Sequence, residues 1–263
     1  RNGNRASYDS APLAVAVDLI AGTATDGVDI DTLVNFNHVT GSTGADTLLG
    51  SNTTDWSEQF RGGAGNDSID GRGGEDWVRY DTSPTGVTVV LGLAGATLIV
   101  NDGYGGTDTL TGIEHARGSD FADVLTGSSR TDLIERFQGL NGNDTIDGKG
   151  GVDEVTFIDA PAAVNATVGA AGSATGGYGT TVTLLNIEQV RGSLFSDTLT
   201  GSDGAALETF DSRQGNDTID GKGGPDLADY FYAWNTGANV DLAANTASAD
   251  GFGGSDTVLN KIG

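Results

Sequence analysis

Large apolar residues recur at intervals of nine along parts of this chain, and glycine or polar residues fill most of the positions between them. Between Gly62 and Arg79, for example, Ile69 and Val78 each follow a glycine-rich, acidic stretch. The apolar residues keep no sustained period of 3.6, so the pattern does not predict helices. With 43 glycines and four prolines, the chain is instead predicted to form short strands separated by turns.

One block of twelve residues occurs three times with little change. It reads GNDSIDGRGGED from Gly65, GNDTIDGKGGVD from Gly142 and GNDTIDGKGGPD from Gly215, so successive blocks begin 77 and 73 residues apart. A fixed internal period indicates a tandem array and outweighs other fold signals. The spacing predicts repeats over 1–79, 80–156 and 157–229 and a partial fourth repeat over 230–263, all in one continuous solenoid.

Other landmarks recur in the same order in each repeat. The equivalent aromatic residues are Tyr8, Tyr80, Phe157 and Tyr230. A glycine-rich segment follows, which reads GVDIDTL, GYGGTDTL, GYGTTVTL and GFGGSDTV in turn. The first residue is Arg1, no methionine occurs, and the last repeat stops early at Gly263. We therefore expect the chain to be a piece of a longer array.

Charge narrows the expected partners. The chain has 37 acidic and 13 basic residues, a formal net charge of −24. Such a surface repels nucleic acid and anionic lipid, so neither is expected as a partner. Acidic residues at fixed repeat positions favour a hard divalent cation, because calcium takes oxygen ligands and tolerates variable geometry. A surface that is merely soluble and self-repelling is the alternative interpretation.

The absence of cysteine removes disulfides, thiolate zinc sites and cysteine nucleophiles together. A metal is the remaining candidate for stabilising the chain outside the cell. No apolar run reaches the roughly 18 residues that a membrane span needs, and no signal peptide opens the sequence. Membrane insertion is therefore not expected.

Two consecutive nonapeptides over Gly62–Arg79 fit the pattern G-G-x-G-x-D-x-U-x, where U is a large apolar residue and Arg72 departs at the second position. With its three near-identical blocks, the chain resembles the RTX family of type I secreted bacterial proteins, in which this nonapeptide binds calcium. It resembles in particular the long-period arrays in which nonapeptide pairs alternate with strand-rich insertions. The resemblance covers essentially the whole chain and implies an all-β fold, a parallel β-roll or β-solenoid, outside the bacterial cell or on its surface.

In such a roll, six residues of each nonapeptide turn and three extend. Glycines permit positive φ and let carbonyl oxygens point into the turn, and the aspartate at position six adds a charged oxygen. The apolar residue at position eight points inward and serves only packing. This inner ladder is expected to comprise Leu48, Phe60, Ile69, Val78, Leu125, Phe137, Ile146, Val155, Leu199, Phe210, Ile219 and Ala228.

Turns two nonapeptides apart should stack on the same edge of the roll, about 4.8 Å from each other. The resemblance implies that several calcium ions lie between such turns, held by carboxylates and carbonyl oxygens of both. One edge is expected to carry Asp31, Asp46 and Asp67 in the first repeat and Asp108, Asp123 and Asp144 in the second. The expected glycines of these calcium turns are Gly63, Gly65, Gly142 and Gly215.

In the third repeat Val182 replaces the first carboxylate and leaves Asp197 and Asp217, so at least one site fewer is expected there. Asp256 begins a fourth set. The opposite edge is expected to use Asp76, Asp153 and Asp226, and its partner turns are lengthened to eleven or twelve residues. Asp55, Asp132 and Glu208 are the candidate ligands in those longer turns.

The size of the electrostatic repulsion suggests what the metal does. Two carboxylates about 5 Å apart repel by roughly 3 kcal/mol at an effective dielectric constant of about 20. A domain is stable by only about 5–15 kcal/mol, so several such pairs should leave the calcium-free array largely unfolded. Calcium binding would then supply folding free energy. The resemblance adds that the chain would stay loose in the low-calcium cytoplasm and fold after export.

Three functions compete on the sequence. The first is a non-catalytic, calcium-folded segment of a large adhesin, surface layer or filament, whose open strand edges could join neighbouring repeats or identical subunits. The second is an accessory module of a secreted polysaccharide-modifying enzyme, in which Tyr104, Tyr178 and Phe252 on glycine-rich tips could stack on surface glycans. The third is a polysaccharide lyase, which would need basic residues beside a catalytic base.

The two histidines give little support to an enzyme. His38 and His115 occupy equivalent positions in the first two repeats, and the third repeat has Gln189 there. A histidine that glutamine can replace is expected to be a strand or surface residue. No serine has an identifiable neighbouring base, and the GxSxG pattern is absent. We therefore expect no catalytic site.

Overall fold

In the computed structural model of the chain, residues 3–92, 98–231, 237–241, 243–248 and 251–259 are described. They form 28 strands, most of them only three residues long. No helix occurs among these residues, and so none is long and apolar enough to cross a membrane. The predicted all-β class is confirmed.

The chain divides into two compact units, Arg1–Ser128 and Ser129–Gly263. The strands of the first unit are β1 (Arg5–Ser7), β2 (Ala16–Asp18), β3 (Thr23–Thr25), β4 (Ile30–Thr32), β5 (His38–Thr40), β6 (Thr47–Leu49), β7 (Gln59–Arg61), β8 (Ser68–Asp70), β9 (Trp77–Arg79), β10 (Thr88–Val90), β11 (Leu98–Asn101), β12 (Thr107–Thr111), β13 (His115–Arg117) and β14 (Val124–Thr126). Strands β6, β8, β9 and β14 each follow a six-residue turn, as the nonapeptide predicts.

One sheet of this unit is purely parallel. Its strands are ordered β1-β5-β7-β9-β13 and pair in register, so that Ala6, Val39, Phe60, Val78 and Ala116 form one inward row. All five side chains are buried. A chain that coils in one direction places each strand parallel to the strand one full turn earlier. A roll built from nonapeptides requires this arrangement.

The facing sheet mixes parallel and antiparallel pairs. Strands β2, β6, β8 and β12 are parallel neighbours, with Val17, Leu48, Ile69 and Leu110 aligned and buried. Strand β11 then runs antiparallel to both β12 and β10, and β10 pairs in parallel with β14. Strands β2, β3 and β4 form an equivalent antiparallel meander in the first repeat. The strand-rich insertion of each repeat is therefore a three-stranded meander within this sheet.

The second unit repeats this architecture. Its strands are β15 (Ile134–Gln138), β16 (Thr145–Asp147), β17 (Val152–Thr156), β18 (Val164–Thr167), β19 (Gly172–Gly176), β20 (Thr180–Leu185), β21 (Gln189–Arg191), β22 (Thr198–Thr200), β23 (Glu208–Asp211), β24 (Thr218–Asp220), β25 (Asp226–Ala228), β26 (Val240–Asp241), β27 (Thr246–Ser248) and β28 (Ser255–Leu259). Strands β15-β17-β21-β23-β25 form the parallel sheet. The facing sheet has the order β16-β20-β19-β18-β22-β24-β28-β27-β26.

The predicted inner ladder forms the core. Eleven of its twelve members are buried to at least 99 % of their surface: Leu48, Phe60, Ile69, Val78, Leu125, Phe137, Ile146, Val155, Leu199, Phe210 and Ile219. The twelfth, Ala228 in β25, is only half-buried. The nine-residue apolar period thus indicated the core correctly, because each three-residue strand has a single inward position.

Candidate metal centres

Aspartates at the ends of successive turns, those at position six of the nonapeptides among them, form a ladder along one edge of each unit. In the first unit, the backbone N–H of Asp46 donates to Oδ1 of Asp67 at 2.8 Å, and the N–H of Asp67 donates to Oδ1 of Asp108 at 3.0 Å. In the second unit, the N–H of Asp197 donates to Asp217 at 2.7 Å, and that of Asp217 donates to Asp256 at 3.0 Å. We call these six residues the first edge.

The structure corrects how the sequence grouped these carboxylates. Asp31 was expected beside Asp46, but it lies exposed in β4, with β3 and β2 between the two. Asp108 was expected beside Asp123, yet it stacks on Asp67 of the preceding nonapeptide. In the sequence, Asp46 follows Asp31 and Asp123 follows Asp108, but the meander separates the two members of each pair in space. The last strand of the meander lies beside the preceding nonapeptide, as β12 lies beside β8.

The same correction applies to the remaining members of the two sets. Asp123 lies beside the first strand of a meander, and its Oδ1 accepts the N–H of Val87 at 2.8 Å. Asp144 lies beside Val182, since the N–H of Thr183 donates to the Asp144 carbonyl at 2.8 Å. The valine therefore removes a carboxylate next to Asp144, whereas Asp197 keeps its neighbour Asp217.

The opposite edge contains glutamates that the sequence interpretation missed. The N–H of Glu58 donates to Oδ1 of Asp76 at 3.0 Å, and the N–H of Asp76 donates to Oε2 of Glu114 at 3.1 Å. In the second unit, the N–H of Asp153 donates to Oε2 of Glu188 at 3.1 Å. We call the following residues the second edge: Glu58, Asp76, Glu114, Glu135, Asp153, Glu188, Glu208 and Asp226.

A signal for these glutamates was present in the sequence. Each lies two residues before an inward apolar residue, as the nonapeptide aspartate does; Glu58 precedes Phe60 and Glu135 precedes Phe137 in this way. Glu58 and Glu135 are each 1 % exposed, whereas Asp55 and Asp132, the candidates from the sequence, are exposed. The candidate Glu208 occupies the edge position, two residues before Phe210.

One group of these carboxylates is saturated by serine. Oδ2 of Asp46 accepts the N–H of Ser42 at 2.6 Å, and its Oδ1 accepts the Ser42 hydroxyl at 2.8 Å. Ser119 and Ser193 make the same pair of bonds to Asp123 and Asp197. On the second edge, Ser51 binds Glu58 and Ser202 binds Glu208 in this way. These carboxylates are stabilised by the protein itself.

A second group keeps a buried oxygen without a donor. Among the described residues, Oδ2 finds no hydrogen-bond partner in Asp67, Asp76, Asp153, Asp217 and Asp226. All five side chains are 1 % exposed. A buried acceptor that is left unsatisfied costs about 1–3 kcal/mol, and more when it is charged. The turns at these positions therefore lack a positively charged partner for their carboxylates.

Carbonyl oxygens face the same turns. A Cβ on Gly63 would collide with the carbonyl oxygen of Ser42, and a Cβ on Gly65 would collide with that of Gly44. A Cβ on Gly41 would lie 2.5 Å from the Gly62 carbonyl. Only glycine leaves space beside these oxygens, which lie between the turns that carry Asp46 and Asp67.

The turns also require a left-handed backbone. Gly63 has a φ of 103°, and Gly65, Gly142 and Gly215 have φ values of 134°, 139° and 142°. The second turn position stays left-handed where glycine is replaced, in Arg72, Leu140, Lys149, Arg213 and Lys222. These substitutions had weakened the match to the nonapeptide, yet the backbone tolerates them at a cost of about 1–2 kcal/mol each.

Burial and mutual repulsion shift the titration of the second group. Burial chiefly, with a contribution from neighbouring carboxylates, raises the pKa of Asp67 to about 7 and the pKa of Asp76, Asp153 and Asp217 to about 8. Burial also raises the pKa of Asp226, with a further contribution from Glu208. Without a cation, Asp76, Asp153 and Asp217 therefore stay largely protonated at pH 7, and Asp67 is about half ionised.

The donor set fits calcium. Within the described ranges, no three histidine, aspartate or glutamate side chains converge on one point. Between the turns of Asp46 and Asp67, for example, the available oxygens are those of the carboxylates and of the Ser42, Gly44 and Gly62 carbonyls. Calcium takes six to eight such hard oxygen ligands, and its charge would satisfy the acceptors that have no donor. Asp67, Asp76, Asp153, Asp217 and Asp226 are the side chains best placed to hold it.

A coil of short parallel strands whose stacked turns bury carboxylates and expose carbonyl oxygens defines a calcium-binding repeat protein. The family model of the RTX calcium-binding nonapeptide repeat matches the chain in four copies, over residues 35–56, 57–82, 130–156 and 209–228. The chain therefore contains RTX calcium-binding repeats, as its nonapeptides indicated. A search of curated proteins found none that matches it.

Proposed function

We propose that this chain is a non-catalytic, calcium-folded structural segment of a large extracellular or cell-surface bacterial protein, such as an adhesin, a surface layer or a filament. One observation carries the proposal. Both edges bury carboxylate oxygens without donors, at Asp67 and Asp217 on the first edge and at Asp76, Asp153 and Asp226 on the second. A fold that depends on an external cation at so many positions suits an environment rich in calcium.

The direction of folding follows from the electrostatics. At neutral pH, closing the turns without calcium requires either ionised carboxylates in a buried setting or the uptake of protons. Both raise the free energy of the folded state. Calcium binds only the folded arrangement of turns, so its binding free energy adds to the free energy of unfolding. Export in an unfolded form and folding outside the cell are then natural for this chain.

Among the residues that the structure describes, β4 pairs only with β3, and its other edge supports a role in a longer assembly. Thr109, Thr183 and Thr257 each donate a backbone N–H to the carbonyl of the aspartate in the preceding nonapeptide turn, at 2.7, 2.8 and 2.8 Å. Thr32 is the equivalent residue in β4. The N–H of Leu33 donates to the Gly22 carbonyl, on the side of β4 that faces β3. Successive N–H groups of a strand point to opposite sides, so the N–H of Thr32 faces away from β3.

The surroundings of this edge are apolar. Val28 and Ile30 are 75 % and 74 % exposed, and Val34 is 65 % exposed. An exposed strand edge beside apolar side chains is a template for pairing with another strand. We propose that β4 accepts a nonapeptide strand of a neighbouring RTX repeat, through the N–H of Thr32.

The histidines support a structural role. His115 is fully buried in β13, with its ring 4.9 Å from that of Trp77 and its Nε2 3.4 Å from Glu75. His38 lies in β5, where burial lowers its pKa. Both are strand residues, as their exchange for Gln189 in the third repeat suggested. Neither arrangement resembles a general base beside an exposed nucleophile.

A glycan-binding accessory module is the second candidate. Tyr104 on the tip of the β11–β12 turn is 39 % exposed and offers part of its ring to a sugar. Its hydroxyl, however, donates to the Thr82 carbonyl at 2.7 Å, which ties the ring to the neighbouring turn. This contact favours the structural role. Glycan-array binding that disappears in Tyr104→Ala would favour the accessory module instead.

Size-exclusion chromatography with light scattering tests the structural proposal. Without calcium, the chain should elute with the large radius of an unfolded polypeptide; with calcium, it should become compact and associate as its concentration rises. Thr32→Pro should abolish association, because proline removes the N–H, whereas the control Thr32→Val keeps the N–H and should associate normally. A calcium-loaded wild type that stays monomeric at all concentrations would contradict the assembly role.

A further inference from the structure

The turn that leads into β12 differs from every nonapeptide turn. It runs from Asp102 to Gly106, is followed by Asp108 in β12, and lies outside the four segments that match the RTX repeat. The chain enters it from the antiparallel strand β11, whereas a nonapeptide turn is entered from the opposite, parallel sheet. Asp108 nevertheless joins the first edge, because the N–H of Asp67 donates to its Oδ1 at 3.0 Å.

Asp102 is the residue that the nonapeptide pattern does not explain. It is fully buried, and its Oδ1 accepts the N–H groups of Tyr104, Gly105 and Gly106 at 2.8, 3.0 and 2.9 Å. Its Oδ2 is also buried and has no hydrogen-bond partner in the part of the chain that the structure describes. The Asx turn accounts for one oxygen of this carboxylate and leaves the other without a donor.

The second oxygen faces other oxygens. A Cβ placed on Gly106 would collide with the carbonyl oxygen of Gly65 and lie 2.7 Å from Oδ2 of Asp102. Oδ2 of Asp108 accepts the hydroxyl of Tyr80 at 2.9 Å, and Tyr80 is itself buried. Acceptor oxygens from both turns therefore border the space beside Gly106, and a cation is the partner that satisfies such a group.

We propose that Asp102, Asp108 and the carbonyl of Gly65 form a calcium site of a second type, at the junction of nonapeptide and meander. This inference rests on the calcium binding in the proposed function and extends it beyond the nonapeptides. Asp102 supplies a side-chain oxygen in a turn that a nonapeptide strand does not enter. Tyr80 is a positioning residue, because its hydroxyl fixes the orientation of the Asp108 carboxylate.

The third repeat serves as an internal comparison. There Gly176 stands in place of Asp102, Val182 in place of Asp108 and Phe157 in place of Tyr80. Phe157 and Val182 are buried and line a small apolar pocket together with Leu140. Both carboxylates and the tyrosine hydroxyl are absent together, which is expected if the three groups form one site. If Asp102 only stabilised its own turn, its loss would not be expected to accompany the loss of Asp108 and Tyr80.

The first repeat is consistent with the same requirement. Its equivalent of Asp102 is Asp26, which accepts the N–H groups of Val28 and Asp29 at 3.0 and 3.2 Å. Asp26 is only half-buried and Asp31 is exposed. Within the described residues, β4 pairs only with β3, so no carbonyl equivalent to that of Gly65 faces this turn. In the fourth repeat, the equivalent Asp250 lies outside the described residues.

Counting bound calcium in the full chain tests the proposal. Equilibrium dialysis followed by elemental analysis should show that Asp102→Asn binds one calcium ion fewer than the wild type. Asparagine keeps the Oδ1 acceptor of the Asx turn and removes only the charge. The exposed Asp55→Asn is the matched control and should leave the count unchanged. Asp76→Asn, on the second edge, reports on the nonapeptide sites and should also reduce the count.

A second variant covers the case in which Asp102→Asn fails to fold. Tyr80→Phe, Asp102→Gly and Asp108→Val together give the second repeat the residues of the third, and this variant should also lose one ion while keeping the wild-type circular dichroism in calcium. An unchanged ion count in either folded variant, with Asp76→Asn reduced, would overturn this inference and leave the proposed function intact. A wild-type chain that binds no calcium would overturn both.

Discussion

The hydroxyl of Tyr80 donates a hydrogen bond to Oδ2 of Asp108 at 2.9 Å. The same contact joins Tyr8 to Asp31 at 3.2 Å and Tyr230 to Asp256 at 2.9 Å. In the third repeat, both partners are apolar, Phe157 and Val182. Each repeat therefore pairs its aromatic landmark with a residue about 25 positions later in the sequence. The two residues are either both polar, tyrosine with aspartate, or both apolar, phenylalanine with valine.

This pairing predicts non-additive substitutions. Tyr80→Phe should lower the free energy of unfolding in calcium by roughly 1.5–3 kcal/mol, the range for a hydrogen bond to a charged group. The same change in an Asp108→Val background should cost distinctly less, because the acceptor is already absent. Urea unfolding of the four chains measures this coupling. Tyr104→Phe is the comparison: it removes only the exposed hydrogen bond to the Thr82 carbonyl and should cost less than Tyr80→Phe. Equal costs of Tyr80→Phe in both backgrounds would contradict the pairing.

The glutamates of the second edge give a second prediction. Both oxygens of Glu58 accept hydrogen bonds from Ser51, and the amide of Glu58→Gln keeps only one of these two acceptors and loses the charge. We expect this variant to lose about 1–3 kcal/mol of unfolding free energy in calcium. Asp55→Asn in the same turn should change it by less than about 0.5 kcal/mol, because Asp55 is exposed. Thermal or urea unfolding separates the two, and a larger effect at Asp55 would mean that Asp55, and not Glu58, is the buried carboxylate of this turn.

The raised pKa values predict that protons partly replace calcium. Burial raises the pKa of Asp67 to about 7 and the pKa of Asp76, Asp153 and Asp217 to about 8, from 3.8. In calcium-free solution, the folded chain thus binds protons that the unfolded chain has released. This contribution to stability is fully present below about pH 4 and is lost as the pH rises through 7 to 8.

Far-UV circular dichroism of the calcium-free chain between pH 4 and 9 checks this sign. Calcium should be removed by dialysis, since carboxylate chelators lose affinity as they are protonated. We expect more strand signal near pH 4 than at pH 8, and calcium added at pH 8 should restore it. Greater strand content at pH 8 than at pH 4 without calcium would show that these carboxylates are not buried in the folded chain.

Two glycines separate the cost of left-handed backbone strain from the cost of a steric collision with a carbonyl oxygen. Gly63 has a φ of 103°, and a Cβ there would strike the Ser42 carbonyl. Gly27 has a φ of 87°, and nothing lies within 4 Å of the position that a Cβ would take there. Gly27→Ala should cost only the left-handed strain of about 1–2 kcal/mol, whereas Gly63→Ala should cost more and also weaken calcium binding. Calcium titrations of both variants test this; equal affinities would show that the Ser42 carbonyl does not line a calcium site.

Much of the fold follows from the sequence because each nonapeptide determines its own turn and strand through residues that are close together in the chain. Each inward residue, such as Ile69 or Phe137, is fixed by the nine-residue period, and each short strand by its glycine turn. The meander was not predictable in the same way. Which strand of the insertion meets the preceding nonapeptide depends on how the chain folds back, and this decided that Asp108 stacks on Asp67 and not beside Asp123.

The glutamates and Asp102 show two different limits. Glu58 could have been found, because its spacing to Phe60 equals that of Asp67 to Ile69. Counting forward from the leading glycine of a lengthened turn pointed to Asp55 instead. Asp102 precedes a turn that only resembles a nonapeptide, and nothing in its spacing marks a buried side chain. Its burial arises from the antiparallel strand β11, which the sequence did not resolve.

A calcium titration followed by far-UV circular dichroism, paired with limited proteolysis, tests the central claim most directly. At neutral pH, the calcium-free chain should lack strand signal and be digested rapidly, and both properties should reverse together as calcium is added. The buried carboxylates, which have no protein donor, are the reason. A calcium-free chain that keeps its full strand signal and resists protease as well as the calcium-loaded chain would contradict the account.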